Sequence, residues 1–169
     1  MSDYIWYACY GSNLSAERFA CYIESGTCKE NGKFYPGCRD KTRWTEDHFA
    51  MLPGRMYFGR QSSAWENGGV AFFEESDESR VYMRLYRITQ EQFEDVVEQE
   101  GSAKDWYGHM ICLGSGENGE PIYTFTSNVR HAVNAPSAAY HGLIRRALIE
   151  EGKLDPAVVD AYLDECMKG

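Results

Sequence analysis

Apolar residues gather first near the start of the chain, where Tyr4-Ile5-Trp6-Tyr7-Ala8-Cys9 is aromatic and β-branched with no polar break. That run predicts a buried strand. It meets a turn cluster, Tyr10-Gly11-Ser12-Asn13, after which 14–22 reads as a short helix. From 26 to 47 the pattern is polar and mixed, and predicts loop with a weak strand.

Three further strands are expected at 50–58, 69–73 and 80–86. In the last, Val81, Met83 and Leu85 alternate with Tyr82 and Arg84, as in a half-buried strand. The small and polar stretch 61–68 reads as a long loop. Thr89-Gln90-Glu91-Gln92 matches a capping box, in which the Thr89 and Gln92 side chains satisfy each other's free backbone donors. The helix it opens runs to Glu100 and stops at Gly101, a left-handed cap. Strands at 106–113 and 121–126 flank the glycine-rich turn Gly114-Ser115-Gly116-Glu117-Asn118-Gly119.

Two helices close the chain. One starts near Pro136 with Tyr140, Leu143, Ile144 and Leu148 on one face; the other opens at Asp155-Pro156 and aligns Val158, Val159, Tyr162 and Cys166. Strands in the middle and helices at the end predict an α+β fold with a largely antiparallel sheet, open or closed into a barrel.

A chain of 169 residues suits a single domain, 1–169. A net charge of -9 opposes binding to phosphates or anionic lipid, so neither nucleic acid nor membrane is an expected partner. No apolar run approaches the roughly 20 residues of a membrane-spanning helix. Met1-Ser2-Asp3-Tyr4 lacks a basic and then apolar leader, so a cytoplasmic location is expected. The six cysteines form no CxxC pair and are expected as free thiols, with no metal site. His48, His109, His131 and His141 stand apart from one another in sequence and read as ordinary hydrogen-bonded or exposed residues.

Two places carry candidate chemistry. The turn Tyr10-Gly11-Ser12-Asn13, between a strand and a helix start, either aims backbone N–H groups at an anion or only turns the chain. On the helix opened by Thr89 the apolar stripe is Phe93, Val96 and Val97, and the next position on that face is Glu100. Its carboxyl either points toward the core, where lost hydration and the negative helix end favour the protonated form as a general base and acid requires, or swings into solvent from a frayed last turn.

At these two places the sequence resembles the γ-glutamylcyclotransferase family, also called AIG2-like or butirosin-type. Tyr7-Ala8-Cys9-Tyr10-Gly11-Ser12-Asn13-Leu14 looks like the family's strand followed by Tyr-Gly-Ser-Asn-Leu. Glu98-Gln99-Glu100-Gly101 looks like its Glu-Gly pair, which points to Glu100 as the catalytic acid/base. Trp65 with Gly68-Gly69 is similar to a further family feature, with a gap one residue longer; Pro136-Ser137 followed by Tyr140 resembles the late Pro-Ser-Xaa-Xaa-Tyr.

The resemblance spans 4 to about 150 and implies a small β-barrel with helices around it. It implies a catalytic Glu100 and a substrate cavity formed with Tyr10, Gly11, Ser12, Asn13, Leu14 and Tyr140. The implied reaction turns a small γ-glutamyl substrate into 5-oxoproline and a free amino acid or amine, with no cofactor. The same fold also suits a module that binds a small acidic metabolite without catalysis. Leaving group and oligomeric state stay open, as does whether the backbone of the turn holds an oxyanion or the substrate's α-carboxylate.

Overall fold

The computed structural model describes residues 3–101 and 106–169; Met1 and Ser2, part of the segment read for a leader, lie outside it. The apolar run at the start forms β1 (Tyr4–Cys9), the middle strand of a five-stranded sheet. Across the sheet the order is β4 (Asp47–Pro53), β7 (Arg80–Thr89), β1, β9 (Pro121–Thr126) and β8 (His109–Ser115). β1 runs antiparallel to β7 and parallel to β9, so the sheet is mixed but mostly antiparallel. A strand flanked on both edges and covered on both faces has no use for polar alternation, which is why β1 reads as a continuous apolar run.

The sheet is open, with β4 and β8 at its edges, rather than closed into the expected barrel. The expected strand at 50–58 is two strands, β4 and β5 (Arg55–Ser62), parted at Gly54. Gly54 has φ +149°, and a Cβ there would collide with the Phe73 ring, so the chain turns a corner that only glycine allows. β5 then pairs with β6 (Gly68–Glu74) in a separate hairpin. The stretch 61–68, expected as a long loop, is mostly the end of β5 and a 3₁₀ turn, Ser63–Trp65, that joins the two strands. Where β6 approaches β9, the Phe73 N–H donates to Thr126 Oγ1 at 3.0 Å, a side-chain tie in place of the ladder a barrel would need. Two short strands, β2 (Gly26–Thr27) and β3 (Phe34–Tyr35), account for the weakly patterned region.

Four α-helices are present among the described residues: α1 (Ala16–Glu24), α2 (Gln90–Gly101), α3 (Ala138–Arg146) and α4 (Pro156–Lys168). The capping box of α2 forms as expected: Gln92 N–H donates to Thr89 Oγ1 at 3.0 Å and Thr89 N–H to Gln92 Oε1 at 3.1 Å. The helix ends at Gly101, φ +105°. A π-helical turn, Ala147–Glu151, extends α3. In α4 the buried stripe is Val159, Leu163 and Cys166, and Val158 is exposed. Of the expected face, Val159 and Cys166 are buried and Tyr162 is half-buried against the core, while Val158 gives way to Leu163, because both valines fit an apolar stripe and only packing chooses between them.

Candidate active site

Aromatic packing sets the height of α2 over the sheet. Tyr7 on β1 stacks on Phe125 of β9 with ring centroids 5.4 Å apart, and Phe93 packs on both rings at 5.9 Å. With Phe93 anchored there, Glu100 lies two turns further along the same face, about 10 Å away along the axis. That brings it to the bend after β1: Asn13 Nδ2 stands 3.4 Å from Glu100 Oε1 and 3.2 Å from the Tyr7 hydroxyl. The carboxyl faces this bend and is partly buried.

The bend itself is held from three sides. Tyr86 on β7 donates to the Asn13 carbonyl at 2.7 Å, and Arg84 Nη1 donates to the Leu14 carbonyl at 2.9 Å. Arg84 is in turn fixed by Asp47 at 2.6 Å and Glu151 at 2.7 Å. From α1, Arg18 Nε donates to Ser12 Oγ at 2.7 Å. Ser12, Asn13 and Leu14 form one 3₁₀ turn, and all three are buried.

Tyr10, Gly11, Ser12, Asn13, Glu100 and Tyr140 together line one hollow of about 30 Å³. Leu14 is the member of the expected set that does not line it; its side chain is wholly buried in the core behind the turn. Gly11 is needed for closeness: a Cβ would stand 3.1 Å from both the Tyr140 hydroxyl and Ala71 Cβ. The Tyr140 hydroxyl accepts from the Ala71 N–H at 3.1 Å, and its ring meets Trp65 edge-on at 4.9 Å. Trp65, Gly68 and Gly69 serve this same wall. The Gly69 N–H donates to the Ala135 carbonyl at 2.9 Å, and a Cβ on Gly68 would stand 2.5 Å from Ser137 N, where α3 begins.

Several lining groups were not singled out by pattern. Tyr107 donates to the Ala71 carbonyl at 2.8 Å and borders the hollow, and Thr124 lines it from β9. Burial, the largest influence, pushes the phenols of Tyr7, Tyr10 and Tyr107 well above the ordinary tyrosine range, and the Glu100 charge adds to this. They therefore stay neutral and keep their hydrogens at ordinary pH. Two buried oxygens in the wall, Asn13 Oδ1 and Thr124 Oγ1, have no hydrogen-bond partner among the described residues.

Ser12, Glu100, Tyr107 and Tyr140 also line a second hollow of about 90 Å³, bounded by Arg18, Tyr22, Lys33, Tyr35 and Trp65. A carboxyl common to both chambers can reach groups in each, which suits moving a proton from one atom of a bound molecule to another.

Comparison with solved structures identifies the architecture. The chain matches a γ-glutamyl cyclotransferase with a TM-score of 0.69 at 19% identity, covering 94% of this chain and 88% of that one. An uncharacterized protein from Homo sapiens matches at a TM-score of 0.70 and 20% identity, covering 95% of this chain and 89% of the other. YkqA from Bacillus subtilis matches at 0.67 and 20%, covering 99% of this chain and 55% of the other. The chain thus has the γ-glutamyl cyclotransferase fold, and at these identities the likeness is one of fold. In sequence it is 32% identical to histone deacetylase 5 of Arabidopsis thaliana in an alignment of 203 residues that covers 96% of this chain and 31% of that protein. The chain therefore spans about a third of the length of that curated relative. It matches no family model.

Proposed function

We propose that the chain is a γ-glutamylcyclotransferase-type enzyme of the AIG2-like kind, with Glu100 as its acid/base. The observation that carries this reading is the meeting of Glu100 with Asn13 across a hollow bordered by the Tyr10–Asn13 bend and Tyr140. The shared fold agrees with it.

On this reading the substrate's α-amine attacks its own γ-carbonyl carbon. A C–N bond forms, the bond from that carbon to the leaving nitrogen breaks, and the products are 5-oxoproline and a free amine or amino acid. The α-amine, with a reference pKa near ~8, is mostly protonated at neutral pH, so a base must take its proton. Two protons leave that nitrogen, one before attack and one after it, and Glu100 passes each in turn to the leaving nitrogen, so the departing group leaves as its ammonium form. Asn13 Oδ1 and Thr124 Oγ1, acceptors without partners among the described residues, are the groups we assign to the ammonium before that transfer. N–H groups of Gly11, Ser12 and Asn13 are the donors we assign to the oxyanion, where one well-placed donor contributes about 3 to 4 kcal/mol. Because the nucleophile is already part of the substrate, most of the task is holding a bent conformer, for which effective molarities reach ~10⁵ M or more.

The test is release of 5-oxoproline from a panel of γ-glutamyl amino acids and γ-glutamylamines. Release by the native chain and a fall of about a hundredfold or more in Glu100→Gln is the expected result. Full activity of Glu100→Gln removes Glu100 from the reaction, and a native chain inert on the whole panel removes the reaction itself.

A further inference from the structure

The last turn of α2 has little of its own to hold Glu100 in place. Its carbonyls have no donors further along the helix, and it contains the acids Glu98 and Glu100 with no basic residue. Both carboxyl groups stand at the negative end of the helix dipole, which disfavours their charge. Such a turn frays unless another part of the chain holds it.

Gln99 supplies that hold. Its Nε2 donates to the Tyr22 carbonyl at 2.9 Å and, within the helix, to the Asp95 carbonyl at 3.2 Å, while its Oε1 accepts from the Gly37 N–H at 3.1 Å. It completes a series at 92, 95 and 99 that clasps the segment 37–42. Gln92 donates to the Asp40 and Thr42 carbonyls at 2.9 Å, and Asp95 accepts from the Arg39 N–H at 2.9 Å. Of the three, Gln99 is the one in the last turn, and its bond to Tyr22 reaches α1.

The outside partners of Gln99 are themselves fixed. Gly37 has φ +84°, and a Cβ there would stand 2.6 Å from Ser25 N, so its segment lies directly against the end of α1. The Tyr22 carbonyl also accepts from Cys38 Sγ at 3.2 Å, and the Tyr22 hydroxyl accepts from Arg18 Nη2 at 3.2 Å. Tyr22 borders the second chamber together with Glu100; after burial, the Glu100 charge is the largest influence raising its phenol above the ordinary range.

At 3.4 Å the contact between Asn13 and Glu100 lies at the far end of the hydrogen-bond range, so it does not survive an outward shift of the turn. Resting on the reading of Glu100 as the acid/base, we infer that Gln99 is the positioning residue that holds this carboxyl against the bend. Gln99 also borders the second chamber, yet both hydrogens of its amide are already given to backbone carbonyls. It therefore acts through the place of Glu100 rather than by donating to a substrate.

The experiment measures kcat and KM of Gln99→Met, which keeps chain length and helix propensity but has no amide, on the fastest γ-glutamyl substrate of the panel above. A fall of about ten- to a hundredfold in kcat, with KM within about twofold of native, is expected. The same substitution added to Glu100→Gln should change the residual rate by less than about twofold, because nothing is left to position once the base is gone. An unchanged kcat in Gln99→Met overturns the inference. So does an equal loss in both backgrounds, which would make Gln99 a general part of the scaffold. Should Gln99→Met not fold, the same two comparisons are made with Gln99→Glu, which keeps an acceptor for Gly37 and loses the donor to Tyr22. If the native chain turns over no γ-glutamyl compound, the reaction fails, and hydrogen exchange decides the hold by itself. Faster exchange of the Glu100 and Gly101 amides in Gln99→Met, with Val96 unchanged, supports it, and equal exchange ends it.

Discussion

Asn13 and Glu100 are 87 residues apart in sequence, and their side chains meet at 3.4 Å. The amide of Asn13 is the bridge between a bend carried by β1 and the last turn of α2, since it also reaches the Tyr7 hydroxyl. Each partner is placed by different forces, one by hydrogen bonds from β7 and the other by aromatic stacking on Phe93.

Removing that bridge separates positioning from chemistry. Asn13→Ala is expected to lower kcat for 5-oxoproline release by roughly ten- to hundredfold while the carboxyl stays in place. Its stability should fall by about 1 to 3 kcal/mol because the buried bonds of the amide are lost. Steady-state kinetics beside thermal unfolding checks this; an unchanged kcat in the folded variant contradicts the role given to Asn13.

Gly69→Ala tests the wall that carries Tyr140. The added methyl would collide with the Asn134 carbonyl, so the segment leading into α3 must move away from β6. A loss of about 2 kcal/mol or more is expected, with weakened activity in whatever fraction folds. Thermal denaturation and near-ultraviolet circular dichroism report both effects.

The helix bearing Glu100 depends on its first turn. Thr89→Ala removes the acceptor for the Gln92 N–H and should cost about 1 kcal/mol, a drop of roughly 2 to 4 °C in Tm for a chain of this size. Thr89→Ser keeps the hydroxyl and should recover most of it. Equal melting of all three proteins would show that the box does not stabilise α2.

Alkaline pH should unfold the protein steeply. Burial above all raises the phenols of Tyr7, Tyr10, Tyr22, Tyr86 and Tyr107 well past the ordinary value. In the unfolded chain they ionise near pH ~10, so their stabilising contribution is whole below that pH and is lost as pH rises toward the folded values. Phenolate absorbance at high pH should therefore appear together with loss of circular dichroism rather than before it. Smooth titration of these tyrosines in a folded protein would contradict the burial argument.

Much of this was legible along the chain, and the reason is the range of the interactions. The Thr89–Gln92 box, the Gly101 stop and the stripe from Phe93 to Glu100 involve partners within two helical turns, so spacing alone reveals them. Arg18, Tyr107 and Thr124 gave no such signal. Arg18 has near partners in Ser12 and Tyr22, but its place in the wall is fixed with Tyr35, 17 residues on, and Tyr107 meets Ala71 across 36 residues. In hindsight Arg18 had one mark: it stands between Leu14 and Tyr22 at helical spacing, a charge on an otherwise apolar face. The strand at 50–58 failed for a related reason, since Gly54 looks like any strand glycine until Phe73 is seen to occupy the place of its Cβ.

By itself the sequence determined most of the strands and helices, where α2 starts and stops, and that Glu100 shares a face with Phe93. Tertiary structure decided that the sheet stays open, that Leu14 belongs to the core, and that Arg18 borders a second chamber. Hydrogen-bonded turns and helix faces are set by neighbours a few residues away, whereas a cavity is the space left where distant strands happen to pack, and no local pattern records it.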